Sequence, residues 1–178
     1  MRIPRALRAR GGRQWGYQVD KLVALIRESP RSIHDLSRIE LGENDLPRFN
    51  MPFELGLAMG AKRFGSASQR RDRIKIMVEK PYRLPAYLSD LGGNDPTAHH
   101  AGAAAVIRIV RNFLHRTPTG GLLAGPAKLA RDFARFKTEV PGIAERIGFE
   151  ATEIGGLRDY PTYVWCVAEF LKAGTGDD

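Results

Sequence analysis

Between Ser32 and Val78 the chain reads strand, loop, helix, strand, and that order limits the fold more than any other feature. In Ser32–Leu36, Ile33 and Leu36 fall on opposite faces of a short extended run, the pattern of a strand covered on both sides. Met51–Phe64 reads as a helix, with Asn50 or Met51 as its cap and Pro52 near the first turn, where a missing amide is harmless. The polar Gly65–Asp72 is expected to be mobile. A second strand follows in Arg73–Glu79, carried by Ile74-Lys75-Ile76-Met77-Val78. Two strands joined through a helix run parallel, so the expected class is α/β with an open parallel sheet.

Upstream, Val19, Leu22, Val23 and Ile26 recur at i, i+3, i+4 and i+7, which predicts a helix with one buried face that Pro30 ends. Ile3–Ala9 reads either as a short strand or as a frayed terminus, closed by Gly11-Gly12. Downstream, Ala103, Val106, Ile107, Val110, Phe113 and Leu114 form a helical stripe, expected from about His100 to His115 as the last helix of the α/β layer. Thr117–Pro126 reads as a linker. Beyond it Leu129, Phe133 and Phe136, then Tyr163, Val167, Phe170 and Leu171, are helical patterns with no strand signal between them, and Gly174–Asp178 reads as a solvated tail. The organisation expected is an α/β domain over residues 1–116 and a linker with a small C-terminal helical appendage over 117–178.

With 178 residues and 43% apolar composition the chain can bury a core of its own. Its single cysteine, Cys166, lies in an apolar run and excludes an internal disulfide, which suits a reduced, cytoplasmic setting. No apolar run approaches the ~20 residues of a membrane span. The net charge of +8 points to anionic partners. Arg2, Arg5, Arg8, Arg10 and Arg13 form one basic group, and Lys62, Arg63, Arg70, Arg71, Arg73 and Lys75 form another. No recognised binding motif accompanies them, so solvated faces are the expectation, and nucleic-acid binding through the N-terminal arginines and the Lys62–Lys75 cluster is a third and weaker reading.

Ligands of an open parallel sheet collect at the carboxyl ends of its strands, where helix N-termini offer free amides. Asp35, Ser37, Asn50 and Glu54 are all expected at that edge, with Asp35 and Ser37 on one face and Glu54 one turn into its helix. Two carboxylates, a hydroxyl and a carboxamide suit a sugar: the carboxylates accept from ribose hydroxyls, and one can attack or steady a cationic anomeric carbon. A plainer role stands beside each. As the third helical residue, Glu54 would cap its own helix; Asp35 would start a turn and Asn50 would be an N-cap. Gly56 and Gly60 are expected to let the helix backbone approach the sheet. His34 and Asp35 point to opposite faces and cannot serve one nucleophile. His99-His100 lacks a third ligand at metal spacing and reads as a polar helix entry, so no metal is expected.

The stretch Asp35–Phe64, with its Phe53-Glu54-Leu55-Gly56 run, resembles the signature shared by nucleoside 2-deoxyribosyltransferases and bacterial TIR-like nucleotide-binding domains. The likeness spans about Ile33–Lys62 and the strand Ile74–Val78. It is similar as well to a group of uncharacterised bacterial proteins that share Ile33-His34-Asp35-Leu36-Ser37 and Phe49-Asn50-Met51-Pro52. The resemblance implies a flavodoxin/Rossmann-like sheet in which Glu54 acts on an N-glycosidic bond, while Asp35, Ser37 and Asn50 contact ribose or phosphate. Those families open with a further strand and a phosphate-contacting loop. The chain offers only Met1–Gly16 there, so a sheet lacking its first strand, or a cleft completed by a second copy, is the expectation.

Two functions follow. In the first, the chain binds a nucleotide or NAD as substrate, without a separate cofactor, and cleaves or transfers at its glycosidic bond through Glu54, with Arg48 and Lys62 near phosphates. In the second, the same cleft is a non-catalytic nucleotide sensor or protein-interaction module. A homo-oligomer joined through the sheet edge is compatible with either.

Overall fold

The structure, a computed structural model, describes residues 14–37, 49–81, 88, 91, 93–116, 120–154 and 160–174. Ile3–Ala9, the first basic group, Arg48 and the last four residues of the expected tail lie outside them.

The chain forms two compact units, Met1–Ala105 and Val106–Asp178. In the first, helix α1 (Gln14–Glu28) precedes strand β1 (Arg31–Asp35), helix α2 (Asn50–Phe64), strand β2 (Arg73–Val78) and a two-residue strand β3 (Thr97–Ala98). The sheet is open and parallel in the order β1-β2-β3, so the α/β expectation is realised. Register sets Ser32, His34 and Asp35 beside Ile74, Ile76 and Met77, and Met77 beside Thr97. Leu36 extends the ladder by donating its amide to Met77 O at 2.8 Å.

Alternation along these strands separates two faces. Leu36, Ile76 and Val78 share a core with Leu55 of α2, against which Met51, Met59, Ile74 and Ala98 also pack. The odd-numbered face carries Ile33, Asp35, Lys75, Met77 and Thr97, and Met77 is buried there. Because β1 and β2 are parallel, α2 runs back between them and its first turns stand at the carboxyl edge of the sheet.

Several expectations are corrected. Val19 and Val23 of α1 stay 43% and 39% exposed, and Leu22 and Ile26 are half-buried. The physical reason is that α1 packs chiefly on α2, and a helix leaning on another helix covers a narrower seam than one lying on a sheet. Gly56 and Gly60 do not face the sheet: a Cβ at either would meet nothing within 4 Å. Gly65–Asp72 is tied down, with a 3₁₀ turn at Gln69–Arg71, Ser66 N donating to Gln69 Oε1 at 3.0 Å, Arg70 Nη1 to Gly65 O at 2.9 Å and Lys62 Nζ to Asp72 O.

Helix α3 (Ala103–Leu114) follows β3, and all of it beyond the first turn belongs to the second unit. Its buried residues are Ile109 and Phe113, of which Ile109 lies off the stripe expected from sequence. Arg111 bonds Leu123 O at 2.9 Å and Ala124 O at 3.0 Å, folding the segment after α3 back onto that helix. Helices α4 (Pro126–Glu145) and α5 (Tyr160–Ala173) pack together around Phe136, Ile143, Ala144, Cys166 and Phe170. Phe136 meets Phe170 and Tyr163 edge-on, with ring centroids 5.3 and 5.7 Å apart.

Candidate functional site

At the carboxyl end of β1, Asp35 and Ser37 meet as expected from their spacing. Ser37 donates its amide to Asp35 Oδ1 at 3.0 Å, and its hydroxyl donates to the same oxygen. A third residue joins them from the end of β3. His99 Nε2 lies 2.6 Å from Ser37 Oγ and 3.4 Å from Asp35 Oδ1. His99 is 5% exposed, so it is a buried member of the cluster and not the polar helix entry its sequence context suggested.

The protons of this cluster follow from its bonds. Ala101 donates its amide to His99 Nδ1 at 3.1 Å, which makes Nδ1 an acceptor and leaves the ring proton on Nε2. Nε2–H then points at Ser37 Oγ, and the Ser37 hydroxyl points at Asp35. A hydrolase serine has the opposite polarity, giving its proton to the imidazole. The cluster therefore holds a carboxylate in place and does not activate the serine through histidine.

Backbone strain supports the same corner. His100 and Ala101 adopt φ of 52° and 55°, left-handed conformations that cost non-glycine residues on the order of 1 kcal/mol each. The turn is held by His100 N to Glu79 O at 2.8 Å and Gly102 N to His99 O at 3.0 Å. It brings the Ala101 amide onto the ring and starts α3 directly afterwards.

Desolvation alone would raise the Asp35 pKa, but the hydrogen bonds from the Ser37 hydroxyl and amide, with a smaller contribution from His99, outweigh it and hold the carboxyl below its ordinary value. All these bonds fall on Oδ1. Oδ2 has no partner among the described residues and, on a part-exposed side chain, is the atom left to accept from a ligand.

Glu54 stands elsewhere. α2 begins at Asn50 with Phe49 at the cap position and no side-chain cap bond, so Asn50 is the first helical residue and not the cap. The first helical bond runs from Phe53 N to Phe49 O at 2.9 Å, which leaves Pro52 among the residues whose amides need no partner. Glu54 is the fifth helical residue, beyond the position from which a glutamate closes a capping box. The capping role is thereby removed. No hydrogen bond or ion pair reaches Glu54 among the described residues, and partial burial raises its pKa.

Glu54 is next to Leu55, which packs on the even-numbered face, whereas Asp35 belongs to the odd-numbered one. Both stand at the carboxyl edge, on opposite sides of β1, and no bond joins them. Asn50 is exposed at the start of α2. On the inner side, His34 is 5% exposed, shares a hydrogen bond with Ser32 Oγ at 3.0 Å through Nε2, and has no partner at Nδ1 among the described residues. Among the described residues no three His, Cys, Asp or Glu side chains gather as a metal-binding group.

Sequence reading missed His99 because the strand delivering it is two residues long and leaves no periodic pattern. The local signal was the pair of histidines before a glycine-alanine helix start, which becomes meaningful only once β3 is placed beside β2. Among the described residues no helix is long and apolar enough to cross a membrane. No protein family, curated protein or solved structure matches this chain.

Proposed function

We propose that the carboxyl edge of the sheet binds a nucleotide-like ligand and that the chain cleaves or transfers at its N-glycosidic bond, with Glu54 acting at the anomeric carbon. The observation that carries this reading is Glu54 itself: a part-buried carboxylate with a raised pKa, outside the capping position and without a bonding partner among the described residues. Such a group is more basic than an ordinary glutamate, which suits a nucleophile or an oxocarbenium-stabilising carboxylate. Asp35 would accept from a ribose hydroxyl through Oδ2, with Ser37 and His99 holding its other oxygen. Since the two carboxylates flank β1, the sugar would lie across the end of that strand, near Asn50.

The test is incubation of wild-type protein and Glu54→Gln with NAD and a panel of nucleosides and nucleotides, reading free base by chromatography. Release by the wild type, abolished in the folded variant, is the expected result. Ligand binding without turnover in both proteins would replace this reading with a non-catalytic nucleotide sensor.

A further inference from the structure

The amino end of the sheet, opposite the Asp35 corner, has its own chemistry. Phe64, the last residue of α2, is 85% exposed, far more than the other exposed aromatic rings. Lys62 and Arg63 precede it, and the 3₁₀ turn carrying Arg70 and Arg71 packs against the same end of α2. The bonds from Arg70 to Gly65 O and from Lys62 to Asp72 O fix that turn. Next in the chain, Arg73 opens β2, donating its amide to Pro30 O at 3.1 Å and standing in register with Arg31 of β1.

Register thus sets two arginines side by side, and like charges directly opposite across a ladder work against pairing. Between Lys62 and Lys75 six cations face one acid, Asp72, and among the described residues no ion pair engages Lys62, Arg63, Arg70 or Arg71. Phe64 already stands among these cations in the sequence, directly after Arg63, and the fold leaves its ring exposed.

We propose that this edge, Phe64 with Arg31, Arg63, Arg70 and Arg71, binds single-stranded nucleic acid, the ring stacking on an unpaired base while the guanidinium groups meet the flanking phosphates. An exposed ring beside a basic track is how sequence-tolerant single-strand binding works, each stacked base contributing about 1–3 kcal/mol. A lipid surface fits less well. A helix lying in a membrane interface needs a continuous apolar face. Along this side of α2 the next exposed ring, Phe53, is 11 residues away, about 16 Å along the axis, and the open Gly56 and Gly60 separate the two. The proposal is independent of Glu54 and of the glycosidic reading.

Fluorescence anisotropy of the full chain with labelled oligo(dT) and oligo(U), a duplex of equal length, and phosphatidylserine vesicles tests it. Binding to one or both single strands is expected, weakening about 100-fold from 50 to 500 mM salt, as for about three neutralised phosphates. Relative affinity for oligo(dT) and oligo(U) identifies the natural strand. Phe64→Ala should weaken binding about 10-fold with unchanged circular dichroism, and Phe64→Trp should restore it with its fluorescence quenched by the oligonucleotide. Arg63→Ala with Arg71→Ala should flatten the salt dependence, whereas Arg146→Ala, just past the end of α4, should leave it intact. Absence of binding at 50 mM salt, binding indifferent to Phe64→Ala, or Phe64-dependent binding stronger on vesicles or duplex would overturn the proposal.

Discussion

At the scale of single residues, two histidines, one on β1 and one just beyond β3, show how context sets chemistry. His99 has both ring nitrogens engaged and serves to pin Asp35. His34 is buried with Nδ1 unsatisfied, a condition that costs about 1–3 kcal/mol for a buried polar group. Burial pushes the His34 pKa below its reference of 6.5, so the folded chain favours the neutral ring and the unfolded chain takes up the proton first. The stability associated with that neutral ring is present above about pH 6.5 and is lost as pH falls from there toward the lowered folded value. Urea unfolding should accordingly show a lower midpoint at pH 5.5 than at pH 7.5. In His34→Leu, which removes the titrating group from the face shared with Leu36, that difference should shrink; an equal pH difference in the variant would show that the effect lies elsewhere.

At the scale of elements, the glycines of α2 divide by environment. Gly56 and Gly60 are helical and a Cβ at either enters open space. Alanine there should raise stability by about 0.5–1 kcal/mol per site, because a helical glycine loses more backbone freedom on folding. Gly65 is the opposite case. It closes α2, and a Cβ would stand 2.3 Å from Ala61 O and 2.5 Å from Gln69 Oε1. Gly65→Ala should cost on the order of 2 kcal/mol and disturb the turn that orders Arg70 and Arg71. Thermal melts of the three single variants check the contrast, and a stabilising Gly65→Ala would contradict the close approach. The α2 helix itself was legible in its sequence within a residue, but its cap was not: Asn50 looked like a cap by residue type, and the helix begins one residue sooner, at Asn50, with Phe49 in the cap position.

At the scale of the whole molecule, each compact unit has a core of its own, Leu36, Leu55, Ile76 and Val78 in one and Phe136, Ile143, Ala144, Cys166 and Phe170 in the other. Phe136→Ala should remove about 3–5 kcal/mol from the second core. Hydrogen exchange should then show amides of α4 and α5 losing protection while those of β1 and β2 keep theirs; uniform loss would mean that the units unfold as one. What the sequence by itself determined was local: the two longer strands, the helical stretches, the opposite faces of His34 and Asp35, and the meeting of Asp35 with Ser37 two residues on. Those features depend on periods of two and 3.6 residues, which a chain carries along its length. What only the tertiary structure decided were the juxtapositions across long separations. His99 reaches Asp35 because β3 pairs with β2, Glu54 and Asp35 fall on opposite sides of β1, Gly56 and Gly60 face outward, and the Phe64 ring is left exposed. Each depends on which faces pack together, and that is settled by burying the best total apolar area in one arrangement, a property of the whole chain that no local period encodes.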